Sequence, residues 1–316
     1  MSQGDIIISI NDVYEALNKQ NINVNVIEEC RLNGNFAVYL VDEQYILRIS
    51  DSIPEELRKL ERIRSIRLTP KIHYTGTFVA SGKEYDYLMV DYVKGSELFG
   101  VLRELTQEQS LLLGRDIADF LTDLHSITDA CYDIGHYIPT VPRFAGSWKE
   151  GHLEYIKILR SSLSDALIRE NIVTQAFDYL ERNIDCLEYQ AGAKLLHNDF
   201  HPKNIIVQDG RLSGVIDWEC SQYGEADFEL AHLFQWSIYP PENGCQFELL
   251  LKSLIETLGI TKEVPMLAKR LTIYQLEHEL NQMVWSGGQQ VEERLQRIEG
   301  WLKGQVEELF NKWQLG

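Results

Sequence analysis

Residues 196–220 read LHNDFHPKNIIVQDGRLSGVIDWEC, and this stretch decides the interpretation of the whole chain. Two short β-branched runs flank an Asp-Gly pair, a pattern typical of a β-hairpin. The two ends of a hairpin that lie opposite its turn come close together in space. We therefore expect Asp199, Asn204 and Asp217 to converge at the open end of this hairpin.

These three polar side chains form an all-oxygen set. Carboxylate and amide oxygens suit Mg²⁺, a hard cation, and a remaining carboxylate can orient a hydroxyl group and accept its proton. Phosphoryl transfer needs these parts, because positioning and charge neutralisation stabilise its loose transition state. The spacing H-N-D-F-H-P-K-N, followed by I-D-W-E, also matches the H-x-D-x-x-x-x-N catalytic loop and downstream metal-binding Asp of protein kinases. The stretch therefore indicates a phosphotransfer site rather than a hydrated surface hairpin.

The first part of the chain is rich in strand-forming residues. Asn11 is expected to cap a short helix before the first strand. A helical pattern begins at Pro54, a favourable residue for a first helical turn. Strands are predicted at residues 24–30, 36–41, 45–50, 71–80 and 84–93. The order strand, strand, strand, helix, strand, strand describes a small antiparallel sheet that carries one helix.

From residue 94 onwards the apolar spacing is mostly helical. Thr106 is placed as the N-cap of a strong amphipathic helix at residues 105–127. Further helices are predicted at residues 147–163, 172–190, 247–259, 264–285 and 291–313, with the strands of the hairpin embedded among them. The prediction is an α+β chain with a β-rich domain at residues 1–93 and a mainly helical domain at residues 94–316.

An acidic segment after the hairpin, GEADFELAHLF at residues 224–234, completes a wider pattern that includes Asp227. With the two motifs of the hairpin and the order of the N-terminal elements, the sequence resembles the aminoglycoside phosphotransferase and choline-kinase group, the small-molecule relatives of the protein kinases. The resemblance spans most of the chain, although the C-terminal part resembles the family only in being helical. It implies a bilobal protein-kinase-like fold, in which residues 1–93 bind the nucleotide and residues 94–316 carry catalysis and substrate binding.

The resemblance implies a role for each polar residue of the hairpin. Asp199 would be the catalytic base, and Asn204 and Asp217 would hold Mg²⁺. His197 would brace the loop without acid–base work. Lys203 is a weaker candidate for neutralising the charge of the transferring phosphate.

The nucleotide side departs from the protein-kinase pattern in two places. Gly34 is the single glycine of RLNGNFAVY, the counterpart of the glycine-rich loop, where backbone amides would contact phosphates. Arg48 takes the place of the third-strand lysine, and its guanidinium can pair bidentately with phosphate oxygens. Alternation along the strand leaves open whether Arg48 is instead a surface cation. Its expected partner on the following helix is Glu56, with Glu55 and Glu61 as alternatives.

The segment MVDYV at residues 89–93 corresponds to the hinge of related kinases. By that resemblance its backbone would bind the purine of the nucleotide, with Met89, Asp91 and Val93 as candidate residues. The implied phosphate donor is ATP or GTP, and the implied cofactor is Mg²⁺.

The formal net charge of −18 argues against a nucleic-acid partner, since phosphate backbones require Lys/Arg-rich surfaces. Such a charge would attract a cationic small substrate, or it would simply keep the protein soluble. The acidic residues that could face a polycationic substrate are Asp227, Glu229, Glu277 and Glu279. No apolar run approaches the roughly 20 residues that span a bilayer, so no membrane partner is expected.

The 5 scattered cysteines form no C-x-x-C pair, and the N-terminus lacks signal-peptide features, which together predict a cytoplasmic protein. We expect a Mg²⁺-dependent phosphotransferase that moves the γ-phosphate of ATP or GTP to a hydroxyl group of a small molecule. An aminoglycoside antibiotic or a similar cationic amino sugar is the first acceptor, and choline, methylthioribose or homoserine is the alternative. A catalytically silent binding protein on the kinase fold is the rival interpretation, against which the presence of Asp199, Asn204 and Asp217 argues.

Overall fold

An antiparallel sheet forms most of the N-terminal part of the computed structural model, which describes residues 8–33, 36–50, 53–80, 82–135, 141–287 and 289–315. Helix α1 (Ile10–Lys19) precedes the sheet, and helix α2 (Ile53–Arg62) follows its third strand. The strands are β1 (Ile27–Asn33), β2 (Phe36–Val41), β3 (Tyr45–Ser50), β4 (Ile72–Ala80) and β5 (Lys83–Asp91). Their order in the sheet is β1-β2-β3-β5-β4, and each neighbouring pair is antiparallel. The predicted order of elements is confirmed.

Alternate residues of the sheet form an apolar face that packs with α1. The buried residues of this core include Val13, Ala16 and Leu17 of α1 and Ala37, Tyr39, Val41, Leu47, Ile49, Tyr85, Tyr87 and Met89 of the sheet. Successive side chains of a strand point to opposite faces. Arg48 therefore lies on the face of the sheet opposite Leu47 and Ile49, outside this core.

Helix α1 begins with a reciprocal pair of hydrogen bonds. The Ser9 hydroxyl accepts from the Asp12 N–H at 3.2 Å, and the Asp12 carboxylate accepts from the Ser9 N–H at 2.9 Å. This is the capping-box arrangement, which satisfies two N–H groups that the helix leaves unpaired. The prediction that Asn11 caps this helix was wrong, because Asn11 already lies within the first turn.

Helices form most of the chain after Gly95. They are α3 (Leu98–Val101), α4 (Gln107–Leu124), α5 (Trp148–Ser162), α6 (Asp165–Ile168), α7 (Asn171–Asn183), α8 (Leu230–Ile238), α9 (Glu248–Leu258), α10 (Ile260–Glu263), α11 (Leu267–Trp285), α12 (Val291–Leu302) and α13 (Gln305–Trp313). Thr106 caps α4 as predicted, with Gln109 as its reciprocal partner. Among the described residues, no helix combines the length and the apolarity that a membrane crossing requires.

Two of the predicted helices differ from those in the structure. The helix predicted at residues 172–190 ends at Asn183 and continues as a 3₁₀ helix, Ile184–Glu188. The helix predicted at residues 291–313 is two helices, separated at Gly304, whose φ of 87° lies in the left-handed region. Glycine adopts this conformation without a side-chain clash, and it commonly follows the last turn of a helix. Helix α8 was not predicted.

Short strands accompany the helices. They are β6 (Ser96–Glu97), β7 (Tyr132–Ile134), β8 (Val141–Phe144), β9 (Lys194–Leu196), β10 (Ile205–Gln208), β11 (Arg211–Val215) and β12 (Gln222–Gly224). Antiparallel pairs form between β7 and β8, between β9 and β12, and between β10 and β6. The predicted class, α+β with a small antiparallel sheet and a mainly helical part, is confirmed.

Contacts divide the chain into two units. The first unit is the chain up to Gly95 together with Ser213–Glu219, and the second unit contains Ser96–Leu212 and the chain from Cys220 onwards. Within the first unit, the Val215 N–H donates to Leu68 O at 2.8 Å, and the Ser213 hydroxyl donates to Lys94 O at 2.6 Å. The first unit is therefore completed by a segment that lies far away in sequence.

Candidate active site

The turn of the predicted hairpin is formed by Asp209 and Gly210, which connect β10 to β11. Their φ angles are 52° and 75°. A two-residue type I′ turn requires positive φ at both central residues, which explains the Asp-Gly pair. In the second unit, β10 pairs with β6 through Ile206–Glu97 and Val207–Ser96. This pairing fixes the strand that begins directly after Asn204.

The loop between β9 and β10 is held by a buried carboxylate. Glu229 accepts from the His197 N–H at 2.6 Å and from the Asn198 N–H at 2.9 Å. The imidazole of His197 is fully buried, and its Nδ1 accepts from the Asp199 N–H at 3.2 Å. Asn198 has a φ of 62°, uncommon for a residue other than glycine. These contacts fix the backbone that leads into Asp199.

Asp199 and Asn204 lie together in this loop. The Asn204 Nδ2 donates to the Asp199 carbonyl oxygen at 2.9 Å and to the Asp199 Oδ2 at 3.1 Å. Both hydrogen bonds use the amide nitrogen of Asn204, so the amide oxygen is not consumed by them and suits a hard cation. Two of the three predicted hairpin residues are therefore adjacent in the second unit.

The two basic residues that follow Asp199 have different surroundings. His201 Nε2 lies 3.4 Å from Asp199 Oδ1, and the imidazole stacks on Trp236 with a centroid distance of 4.4 Å. Lys203 extends instead over two aromatic rings, with its Nζ 5.2 Å from the Phe99 centroid and 5.8 Å from the Trp236 centroid. The sequence interpretation gave no role to His201, although its position two residues after Asp199 was a usable signal.

Arg48 contacts three carboxylates within the first unit. Its Nη1 lies 2.8 Å from Glu56 Oε1 and 3.6 Å from Asp217 Oδ1, and its Nη2 lies 3.7 Å from Glu219 Oε2. Burial raises the pKa of Glu56, and the Arg48 guanidinium opposes that rise. Of the three candidate glutamates on α2, the partner of Arg48 is therefore Glu56.

Asp217 has two features that are unusual for a surface aspartate. Its φ is 67°, and its Oδ1 atom is buried with no hydrogen-bond partner among the described residues. Arg48 Nη1, 3.6 Å away, pairs with this oxygen by charge without a hydrogen bond, and a cation at shorter distance would further offset the cost of its burial. Among the described residues, no group of three His, Cys, Asp or Glu side chains is arranged to hold a metal ion. The predicted Mg²⁺ ligands are one amide and one carboxylate, and both donors suit that cation.

The predicted hinge residues differ in what they can offer a ligand. The Met89 side chain is fully buried in the α1 face of the sheet beside Leu47, so only its backbone could contribute. The Asp91 carboxylate accepts from the Lys71 N–H at 2.9 Å and contacts His73 Nε2 at 2.5 Å. The Asp91 N–H donates a hydrogen bond to the Lys71 carbonyl oxygen.

Two further candidates complete the nucleotide side. Val93 follows the end of β5 and is half-buried, and no hydrogen bond from its N–H is found in the described part of the chain. Gly34, predicted to lie against phosphates, falls outside the described residues.

The four carboxylates expected to face a polycationic substrate are buried and engaged inside the second unit. Glu229 holds the loop before Asp199, and Asp227 forms a bidentate pair with buried Arg270 at 2.6 and 2.9 Å. Glu277 contacts His152 at 2.8 Å, and Glu279 contacts Arg294 at 2.8 Å. That expectation was wrong, because helical spacing alone does not reveal which carboxylates find internal partners.

Comparison with known proteins gives both a family and a fold. The model of the phosphotransferase enzyme family (APH) matches residues 26–256, most of the chain. Hygromycin-B 4-O-kinase from Escherichia coli is 36% identical over 52 residues, which cover 16% of this chain and only 14% of that relative.

Two solved structures are similar over nearly the whole chain. ADP-bound aminoglycoside phosphotransferase APH(2″)-Ib has a TM-score of 0.65 and 21% identity, covering 95% of this chain and 99% of that one. A thermostable mutant of aminoglycoside phosphotransferase APH(4)-Ia, in ternary complex with ADP and hygromycin B, has a TM-score of 0.67 and 18% identity, covering 94% and 99%. The chain therefore belongs to the phosphotransferase enzyme family, with the fold of the aminoglycoside phosphotransferases.

Proposed function

We propose that this phosphotransferase transfers the γ-phosphate of ATP to a hydroxyl group of a small, cationic amino sugar in a Mg²⁺-dependent reaction. The observation that carries the proposal is the Asp199 carboxylate, held by the Asn204 amide in a loop that Glu229 anchors. A carboxylate fixed in this way can orient a hydroxyl group and accept its proton.

In the proposed reaction, the acceptor oxygen forms a bond to the γ-phosphorus while the bond to the β–γ bridging oxygen breaks. The acceptor proton passes to the Asp199 carboxylate, and the nucleoside diphosphate leaves with the bridging oxygen. Because the transition state is loose, orientation of the hydroxyl by Asp199 contributes more than early removal of its proton.

Asn204 and Asp217 are proposed to hold Mg²⁺ through the amide oxygen and a carboxylate oxygen. The ion, when bound, would neutralise charge on the nucleotide phosphates. Two observations support this assignment: Asn204 uses its nitrogen towards Asp199, and Asp217 Oδ1 has no hydrogen-bond partner among the described residues. Lys203 is the weaker candidate for additional charge neutralisation, since its ammonium lies over two aromatic rings.

We propose that the nucleotide binds to the N-terminal part of the chain, residues 1–93. Arg48 would contact the phosphates, as its guanidinium is fixed by Glu56 on the sheet face opposite the α1 core. The backbone of Asp91 and Val93 would contact the purine. Complexes of the structural neighbours with ADP support an adenine nucleotide as donor, with GTP as the alternative.

An aminoglycoside is the first acceptor to be tested. The similarity of one segment to hygromycin-B 4-O-kinase, and of the fold to a phosphotransferase bound to hygromycin B, supports this class. The net charge of −18 would favour the approach of a polyamine. A cytoplasmic location, where nucleotide is abundant, is part of the same proposal and agrees with the five free cysteines.

A second candidate is a metabolite kinase whose acceptor carries fewer amines, such as choline, methylthioribose or homoserine. The specific observation in its favour is that Asp227, Glu229, Glu277 and Glu279 are engaged by internal partners. A site that binds several ammonium groups needs carboxylates that are free to pair with them.

The proposal is tested with a coupled assay of nucleotide consumption, using Mg²⁺ and a panel of aminoglycosides, choline, methylthioribose and homoserine. Asp199→Ala should lower kcat by about 100- to 10,000-fold, the usual contribution of a general base. Its nucleotide dissociation constant, measured by calorimetry, should change by less than about threefold, because Asp199 is not a proposed nucleotide ligand.

The matched control is Asp165→Ala, which removes an aspartate whose side chain is 90% exposed. Its kcat should equal that of the unaltered protein. Full turnover by the Asp199→Ala variant would reject Asp199 as the base. Nucleotide binding without turnover of any acceptor would favour the catalytically silent alternative.

A further inference from the structure

His201 lies against the proposed catalytic base, and nothing in the motif itself assigns it a role. The two oxygens of the Asp199 carboxylate have different neighbours in the loop. Asn204 Nδ2 donates to Oδ2 at 3.1 Å, and His201 Nε2 lies 3.4 Å from Oδ1. The carboxylate is therefore flanked on both sides by nitrogen atoms of its own loop.

The hydrogen bonds of the loop fix which nitrogen of His201 carries the proton. The Lys203 N–H donates to His201 Nδ1 at 3.3 Å, so Nδ1 acts as an acceptor. A neutral imidazole with Nδ1 as acceptor carries its hydrogen on Nε2, the nitrogen that faces Asp199. The contact between His201 and Asp199 is then between a donor and an acceptor.

The ring of His201 has little freedom to turn away. It stacks on Trp236 at 4.4 Å with an interplanar angle of 19°, and Trp236 itself packs edge-on against Phe99 at 5.7 Å. The His201 N–H donates to the Asp199 carbonyl oxygen at 3.0 Å, and the His201 carbonyl oxygen accepts from the Asn204 N–H at 2.9 Å. Backbone and ring are thus both constrained around Asp199.

We propose that His201 is a positioning residue, which orients the Asp199 carboxylate through its Nε2–H so that one oxygen faces the acceptor hydroxyl. The proposal rests on the function proposed above for Asp199. It separates the two basic residues of the loop: His201 acts on the base, whereas the Lys203 ammonium is directed to the Phe99 and Trp236 rings. The Nε2–Oδ1 distance of 3.4 Å is one that catalytic contacts commonly shorten when substrates bind.

The test separates the shape of the ring from its donor. His201→Phe keeps a planar ring on Trp236 and removes the donor, and His201→Gln supplies an amide N–H of similar reach. His201→Phe should lower kcat by about 10- to 100-fold, as expected when a reacting group loses its orientation, and the nucleotide KM should stay within about twofold. His201→Gln should restore kcat to within about fivefold of the unaltered protein.

Two kinetic outcomes would overturn the proposal. One is equal activity of both variants and the unaltered protein. The other is an equal loss in both variants with matching drops in melting temperature, which would mark His201 as a residue of the fold alone.

A spectroscopic measurement tests the same contact when no acceptor is turned over. Long-range ¹H–¹⁵N correlation on imidazole-labelled protein should show a proton on Nε2 of His201 and none on Nδ1. The Nε2–H signal should shift in Asp199→Asn. A proton on Nδ1 would overturn the proposal whether or not the chain phosphorylates any tested compound, so failure of the inference is distinguishable from failure of the proposed function.

Discussion

Burial and an ion pair shift the pKa of Glu56 in opposite directions. The residue is 5% exposed and lies 2.8 Å from the Arg48 guanidinium. Burial raises the pKa of its carboxyl group above the ordinary value of 4.5, and Arg48 offsets only part of that effect. A raised pKa means that the folded protein binds this proton more tightly than the unfolded chain does. The stabilising contribution is therefore present below pH 4.5 and is lost as the pH rises through the folded pKa.

Replacement of Glu56 by Gln should remove this pH dependence. The quantity to follow is the free energy of unfolding of Glu56→Gln minus that of the unaltered protein. We expect this difference to increase as the pH rises from acid towards neutral, because the variant has no buried carboxylate to ionise. Urea denaturation at a series of pH values measures the difference. Glu55→Gln is the matched control, since Glu55 is 64% exposed and should give a nearly constant difference. A difference that shrinks with pH would show that Arg48 outweighs burial.

The residues of the phosphotransfer motif were the easiest to predict, and their neighbours were the hardest. Asp199 and Asn204 stand at a spacing that chemistry requires, and the structure brings them together. His201 was given no role, and Glu229 was expected to face the substrate rather than to hold the loop. Their contacts with Asp199 and with the backbone of His197 and Asn198 are not encoded by spacing.

At the level of single elements, one glycine separates the two last helices. Gly304 has a φ of 87°, and its N–H donates to the Trp301 carbonyl oxygen at 3.1 Å. An L-residue in this conformation is strained by its Cβ atom. An added Cβ atom would meet only Glu307 Oε2 at 3.6 Å, so there is room for a side chain. Glycine is required here because of the left-handed backbone conformation.

Gly304→Ala should destabilise the protein by about 1 kcal/mol, the usual cost of a left-handed alanine, and should leave kcat unchanged. The control is Gly100→Ala in helix α3, where the added methyl group meets free space and φ is not left-handed. That substitution should leave stability unchanged or raise it by up to about 1 kcal/mol, because alanine favours a helical backbone over glycine. Thermal unfolding of both variants measures the contrast. Equal stabilities would contradict the strain argument.

Strands and helices were predictable where their periodicity ran long enough. Strands β2 and β3 match the predicted residues, and α5 differs from its prediction only at its ends. The prediction of a single helix at residues 291–313 was wrong, because the apolar spacing continues across Gly304 although the backbone at Gly304 is left-handed. Strand β6, with 2 residues, is too short to show any period.

The whole molecule carries a net charge of −18, yet four carboxylates of the second unit are buried and paired with internal partners. Long-range attraction of a cation depends on the summed field and falls as salt screens it. Direct pairing depends instead on free carboxylates at short range. The two contributions can therefore be separated by ionic strength.

If a cationic aminoglycoside is the acceptor, its KM should rise severalfold between about 0.01 M and about 0.15 M KCl, as the Debye length falls from about 30 Å to about 8 Å. Initial rates at saturating nucleotide measure this change. Sucrose of equal osmolality is the control for effects unrelated to charge. A KM that stays flat with salt would show that the net charge of the protein does not contribute to capture of the acceptor.

The division into units shows the limit of local patterns. Periodicity within a window could not reveal that Ser213–Glu219 joins the chain up to Gly95, since this depends on contacts such as Val215 with Leu68. It equally could not reveal that Asp227 and Arg270 pair inside the second unit.

The return of Ser213–Glu219 to the first unit has a consequence for how the chain matures on the ribosome. At translation rates of about 5–20 residues per second, this segment emerges on the order of ten seconds after Gly95. During that interval the nascent chain contains Arg48 of β3 and Glu56 of α2 but lacks both Asp217 and Glu219. The cluster around Arg48 can be assembled only after most of the second unit has been synthesised, so a ribosome stalled before residue 213 displays an N-terminal sheet whose cation has a single carboxylate beside it.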